Sequence, residues 1–140
     1  MSKAETKRKK TEAEAFGDLP QQVQQAAQAA QDKKAIDLAV LDLREVSSFT
    51  DYFIICSGQN ARQVKAIADA VEETLRRNRA RPAHVEGYDR AEWVLLDYFD
   101  FIVHVFTPAM REFYALERLW GSAERIAVPE PEGRPAEGSR

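Results

Sequence analysis

The chain has 140 residues, with 20 Lys and Arg against 23 Asp and Glu, a formal charge of -3 and a hydrophobic content of 44%. That length suits one domain with a real core, and the acidic balance excludes an indiscriminate nucleic-acid coat, which needs positive charge to neutralise phosphates. One cysteine, Cys56, excludes an intramolecular disulfide framework and fits a reducing, cytoplasmic setting; no run reaches the ~20 apolar residues of a membrane span, and the N-terminus lacks a signal-peptide core.

The ends differ from the middle. Residues 1–19 open on MSKAETKRKK and carry one large aromatic, Phe16. They read as a flexible basic arm that cannot bury enough surface to offset its ordering entropy. Residues 129–140, PEPEGRPAEGSR, hold half of the six prolines and read as a disordered Pro/Glu-rich tail. The foldable domain is residues 20–128. Between Leu19 and Val128 there are 13 basic and 16 acidic residues, so the domain itself carries -3.

Gln21 to Lys34 is Ala- and Gln-rich, with Val23, Ala26, Ala27 and Ala30 at helical spacing after Pro20. AIDLAVLDL then alternates as a strand. Tyr52–Cys56 is the apolar run of a second strand, stopped at Ser57-Gly58. Asn60 can cap the next helix, with Gln63 in a capping-box relation. Val64, Ile67, Ala68, Val71 and Leu75 form its apolar stripe. Arg76, Arg77, Arg79 and Arg81 gather where Pro82 ends it, and they read as a solvated charge run.

His84-Val85 makes a short strand ending at Gly87. Glu92 to Asp97 is another, Tyr98-Phe99 a tight turn, and Asp100 to Phe106 the hairpin partner. Thr107 and Pro108 open a last helix whose Met110, Phe113, Leu116 and Trp120 share a face, closed by Gly121. Arg111, Tyr114, Glu117 and Arg118 read as its solvated side, with a dimer or partner contact as the alternative. The order α-β-β-α-β-β-β-α gives an α/β (α+β) domain with a single mixed sheet of about five strands flanked by helices. The continuous apolar runs FIIC, VLL and FIVHVF imply burial on both faces of the sheet.

Catalytic patterns are missing. Neither GxxxxGK[ST] nor GxGxxG occurs, nor CxxC nor HExxH. His84 and His104 are the only histidines; His104, between Val103 and Val105, reads as a half-buried strand residue with one ring hydrogen bond. Cys56 ends an apolar run, where a thiol is inert. Asp37 and Asp42 at one strand's ends, and Asp97 and Asp100 at the hairpin, could in principle hold Mg²⁺, but turn geometry accounts for them. No cofactor, metal site or catalytic residue is expected.

The stretch from Ala35 to Ala127 resembles the Iojap family, whose bacterial members are called ribosomal silencing factors. Four blocks carry the resemblance: AIDLAVLDL (Ala35–Leu43), TDYFIICSGQNARQVKAIAD (Thr50–Asp69), EGYDRAEWVLLDYFDFIVHVF (Glu86–Phe106) and REFYALERLW (Arg111–Trp120). Phe99 departs from it, since the family commonly places Gly there, and this is expected to change the turn type without changing the face the strands present.

The resemblance implies an α/β fold distantly like nucleotidyltransferases without their catalytic residues. It implies binding to the large ribosomal subunit through large-subunit ribosomal protein fourteen, a block on joining of the small subunit, and lowered translation when nutrients are scarce. Homodimerisation when free is implied as well, and organellar relatives act in assembly of the large subunit. A large-subunit assembly factor without a repressor role, and a Mg-dependent nucleotidyltransferase-like enzyme using Asp42, Asp97 or Asp100, are the alternatives.

Strand alternation puts Trp93, Leu95 and Asp97 on one side and Val94, Leu96 and Tyr98 on the other. Interface anchors favour Trp and Tyr ringed by polar groups, so Trp93, Leu95, Asp97 and Tyr98 are candidate partner-binding residues. Glu86 and Gly87 lie in the preceding segment, and Lys65 starts a helix that could reach the same side. Trp93 fits either the core or an interface; the resemblance favours the interface. An acidic domain suits a basic ribosomal protein, with limited or no direct RNA contact and no membrane.

Overall fold

The computed structural model describes residues 10–130. In chain order they form α1 (Glu12–Gly17), α2 (Gln21–Asp32), β1 (Ile36–Asp42), β2 (Tyr52–Ser57), α3 (Ala61–Arg77), β3 (His84–Glu86), β4 (Trp93–Asp97), β5 (Phe101–Phe106), α4 (Pro108–Tyr114), α5 (Leu116–Leu119) and β6 (Glu124–Ala127). The strands make one six-stranded sheet in the order β3-β4-β5-β2-β1-β6. Only the central β2·β5 pair is parallel; the other four pairs are antiparallel. The expected single mixed sheet with flanking helices is what the chain forms.

The helix α3 shows why the sequence folds this way. The Asn60 side chain accepts from the Gln63 N–H at 3.0 Å, meeting one orphan donor of the first turn. The Gln63 side chain accepts in turn from the Gln59 N–H and donates to the carbonyls of Lys33 and Lys34, so the cap also fastens the end of α2. The stripe Val64, Ile67, Ala68, Val71 and Leu75 is buried. Each of its larger side chains contributes roughly 1.5–3 kcal/mol by leaving water. It packs with the alanines of α2 on one sheet face, over Ile54, Cys56, Val94, Leu96, Val103 and Val105. Alanine lets α2 and α3 lie close together beside the sheet.

The second face is covered more thinly. Leu41, Leu43, Phe53, Ile55, Ile102 and Phe106 are buried there, under partly buried Trp93, Leu95, Met110, Leu116 and Trp120. Both faces are therefore covered, one by two long helices and the other by the short α4 and α5.

Four expectations need correction. The sheet has six strands, because β6 pairs with β1, Ile126 opposite Val40. Only Ile126 of β6 is buried, so the strand carries little apolar signal. The arm is ordered in its second half: Thr11 and Glu14 form a reciprocal capping box and α1 buries Phe16, while residues 1–9 lie outside the described residues. The start of the tail is held, since Gln31 Nε2 donates to the Pro129 carbonyl at 2.9 Å; residues 131–140 lie outside the described residues. The last helix is two. Ala115 adopts φ 48° and ψ 51°, which ends α4 and starts α5, so Phe113 points to solvent rather than sharing a face with Leu116 and Trp120.

The hairpin between β4 and β5 holds Phe99 at φ 74°. Asp97 Oδ1 accepts the Phe99 N–H, and the Thr50 hydroxyl donates to the Phe99 carbonyl. Phe99 thus sits in the left-handed region that glycine favours, and the departure is carried as local strain. Left-handed backbone costs a side-chain-bearing residue about 1–2 kcal/mol, against about 0.5–1 kcal/mol of extra unfolded-state entropy for Gly. Phe99→Gly is expected to raise stability by about 0.5–1 kcal/mol, read as a higher urea midpoint at unchanged slope. An unchanged or lower midpoint would show that the strain is not there.

Candidate functional site

The register of three neighbouring strands builds the candidate face. Glu86 and His84 of β3 lie opposite Leu95 and Asp97 of β4, and Trp93, Leu95 and Asp97 lie opposite Phe106, His104 and Ile102 of β5. Side chains at paired positions share a face. Val94 and Leu96 are fully buried toward α3, while Trp93, Leu95 and Asp97 are half-buried on the other side. The alternation read from the sequence is therefore the one the strand adopts.

Trp93 is neither a core residue nor a free one. Its ring stacks on Phe106 at 5.0 Å and meets Tyr114 of α4 at 4.5 Å. Its indole N–H donates to His104 Nδ1 at 3.1 Å. His104 is 3% exposed, where the sequence suggested half-burial. Burial pushes its imidazole down to about 3, so the ring is neutral at ordinary pH, and Nδ1 can accept only as the Nε2–H tautomer. Its Nε2 is buried with no hydrogen-bond partner among the described residues.

Exposed apolar groups surround this strand. Tyr114, 46% exposed, touches Trp93, and Phe113, 76% exposed, meets Tyr114 edge-on at 5.0 Å. Phe49 lies over Trp120 and Phe53. Glu86 and Asp97 supply an acidic margin on the β3 side, with His84 Nε2 2.6 Å from Glu86 Oε2. Sequence reasoning missed Phe113 and Phe49 as members of the face, and it read Tyr114 as solvated first and as a partner contact second. The regular spacing in 108–120 gives no sign of the break at Ala115, which is what turns Phe113 outward.

The other candidates fall elsewhere. Gly87 directly follows β3, at φ 80°, and an added Cβ would lie 2.0 Å from the Trp93 carbonyl oxygen at the start of β4. Lys65 is on α3, with its ammonium 5.2 Å from the centre of the Tyr88 ring, and the Tyr88 hydroxyl donates to Asp69. That cluster lies on the α3 side of the sheet, away from Trp93. Tyr98 also faces the larger core, stacked on Phe101 at 4.9 Å, and burial pushes its phenol up. The structure brings Glu86, Trp93, Leu95 and Asp97 together and leaves Lys65 and Tyr98 on the opposite face.

The side chains that a metal site or a nucleophile would draw on are engaged elsewhere or buried. Among the described residues no group of three or more His, Cys, Asp or Glu side chains could hold a metal ion. Arg44 engages both Asp42 oxygens and holds that carboxyl below its usual range. Asp97 is engaged in the hairpin turn. Cys56 is buried and pushed up to about 12, so its thiolate is not accessible. At the carboxyl ends of β2 and β5, where open α/β sheets commonly bind ligands, lies a cleft of about 480 Å³. Its central cation, Arg111, is already committed to Glu117, the Ser57 hydroxyl and the Ile36 carbonyl. Arg111 and Glu117 are thus an internal tie and not part of a solvated face.

The geometry can be set beside known proteins. The family model described as "Ribosomal silencing factor during starvation" matches residues 17–140. The chain is 44% identical over 98 residues to Ribosomal silencing factor RsfS of Bacillus subtilis (strain 168), covering 70% of this chain and 83% of that protein. It is 30% identical over 91 residues to Mitochondrial assembly of ribosomal large subunit protein 1 of Mus musculus, covering 63% of this chain and 40% of that protein. The crystal structure of a protein from Chromobacterium violaceum is similar with a TM-score of 0.70 at 32% identity, covering 84% of this chain and 93% of that one. On these matches of sequence and fold, the chain belongs to the ribosomal silencing factor (RsfS) family.

Proposed function

We propose that this protein is a non-enzymatic translation repressor that docks on the large ribosomal subunit through large-subunit ribosomal protein fourteen. Docking blocks joining of the small subunit and lowers translation when nutrients are scarce. It acts in the cytoplasm with limited or no direct RNA contact, and it is a homodimer when free. Family membership supports the ribosomal partner. The observation that carries the docking face is the strip of half-buried Trp93 and Leu95 beside exposed Tyr114 and Phe113, margined by Glu86 and Asp97. Aromatic anchors beside polar groups are the usual centre of a protein–protein contact, and an acidic margin suits a basic partner.

Co-sedimentation with purified bacterial large subunits tests this reading, and failure to comigrate would end it. Trp93→Ala should weaken docking by about 2 kcal/mol or more, roughly 30-fold. Its unfolding should stay cooperative, with a loss of about 1–3 kcal/mol from the stacks on Phe106 and Tyr114. A variant that comigrates as tightly as the parent removes Trp93 as the anchor. A monomer mass by light scattering at micromolar concentration would contradict the dimer.

A second reading is favoured by the name of the mouse relative: assembly of the large subunit without repression. Both need the same docking surface. A subunit-joining assay with mature subunits separates them, since an assembly factor need not inhibit it.

A further inference from the structure

We infer that His104 is a positioning residue for the docking anchor: its Nδ1 accepts the Trp93 indole N–H and thereby fixes the ring in one orientation at the surface. This rests on the Trp93 strand being the docking face. Leu95 is the direct cross-strand partner of His104, and Trp93 is its diagonal neighbour, within reach of an aromatic side chain.

Three observations carry the inference. The Trp93 Nε1–His104 Nδ1 distance is 3.1 Å, and the acceptor is shut away from water. The imidazole meets Phe53 edge to face at 4.5 Å and lies parallel to Phe106 at 6.1 Å, contacts that favour one ring orientation. Its other nitrogen is buried without a partner among the described residues. An unpaired buried N–H is a cost that a Phe or Met in this slot would not carry. For hydrogen bonding His104 is a poor choice here, and among the described residues the Trp93 bond is the one its side chain makes. What that bond supplies is an anchor already ordered before docking. A large side chain immobilised in advance loses less freedom on binding, and its stacking partners Phe106 and Tyr114 hold the faces of the ring while His104 holds its edge.

The test uses the full chain and purified bacterial large subunits. The indole N–H resonance of Trp93 is identified with Trp120→Phe, which removes the other tryptophan. In the parent protein this N–H should exchange slowly with water and lie downfield, as a hydrogen-bonded indole does. Exchange as fast as that of a free indole overturns the proposal without any substitution at position 104. His104→Phe keeps the ring volume and removes the acceptor. It should shift the Trp93 resonance upfield and weaken docking about three- to tenfold, the worth of one hydrogen bond. His104→Asn, whose side-chain oxygen can accept, should restore both in part. An unmoved resonance in His104→Phe, or docking unchanged although the resonance moves, overturns the positioning role. If Trp93→Ala itself docks normally, the docking-face reading fails, while the resonance and exchange still decide whether His104 holds Trp93.

Discussion

Gly87→Ala is expected to destabilise the protein by about 4 kcal/mol or more, placing it among the rare severe substitutions. Two independent causes act together. At φ 80° any side-chain-bearing residue is strained, and the new Cβ would fall 2.0 Å from the Trp93 carbonyl oxygen, a backbone atom that no rotamer change can move aside. Left-handed strain alone accounts for about 1–2 kcal/mol. The clash must be relieved by shifting the 87–91 turn, which is closed by the Ala91 N–H donating to the Gly87 carbonyl at 2.9 Å, or by moving the start of β4. Either movement displaces Trp93. Domains of this size have only about 5–15 kcal/mol in hand, so urea unfolding should show a much lower midpoint and large-subunit docking should fail. Gly17→Ala is the control, since a Cβ there meets nothing within 4 Å among the described residues and its midpoint should scarcely move. Equal midpoints for the two variants would rule out the close approach at Gly87.

Arg111→Ala is expected to cost about 3 kcal/mol, the low end for removing one partner of a largely buried ion pair. Arg111 donates to both Glu117 oxygens, at 3.1 and 2.7 Å, and to the Ile36 carbonyl and the Ser57 hydroxyl. One planar fork thereby ties α4 to α5 across the Ala115 break and ties both to the sheet. Lysine cannot reproduce it, having a single point of charge and no fixed fork, so Arg111→Lys should recover little. Glu117 keeps Arg125 at 2.8 Å, which is why the loss is not larger.

The same pair sets an acid response. Hydrogen bonds from Arg111, aided by those from Arg125, hold the Glu117 carboxyl down to about 2. A carboxyl lowered in the folded state stabilises above its unfolded value of about 4.3. That stabilisation is lost as pH falls from there through about 2. His104, held down to about 3 by burial, acts in a window that opens higher. Its contribution is complete above the unfolded value of about 6.5 and fades below it, because the unfolded imidazole binds a proton that the folded one refuses. Stability measured against pH should therefore fall in two stages. Arg111→Ala should flatten the lower stage and leave the upper one intact. An unchanged lower stage would show that Glu117 does not depend on Arg111.

Much of this was open to sequence reasoning, for definite reasons. A strand's period of two admits no drift, so Trp93, Leu95 and Asp97 had to share a face. The α3 stripe and the Asn60 cap are equally plain. Other parts depend on partners far away in the chain. β6 is a strand because β1 offers it an edge, and Glu124-Arg125-Ile126-Ala127 alone gives one large apolar residue. α1 has its start signal in Thr11 and Glu14, yet the charged residues around it argue against burial until Phe16 is seen in the core. The left-handed Ala115 follows from no local rule, since alanine is the best helix former; the Arg111–Glu117 tie across it is the compensation the structure shows. Lys65 lies on the α3 side, against Tyr88 and away from Trp93, because a helix packed on a sheet keeps to one face, and which face is a tertiary fact.

The late position of β6 has a consequence for how the protein is made. Until Glu124–Ala127 has been synthesised, β1 presents an unpaired edge, and Val40 lacks its neighbour Ile126. The central β2·β5 pair also waits, because Tyr52 must find Phe101 across the whole α3–β4 crossover. Domains begin to fold as they leave the ribosome, but this sheet can be completed only when the chain is out through Ala127. In that interval its open edge is a surface on which like chains can pair wrongly.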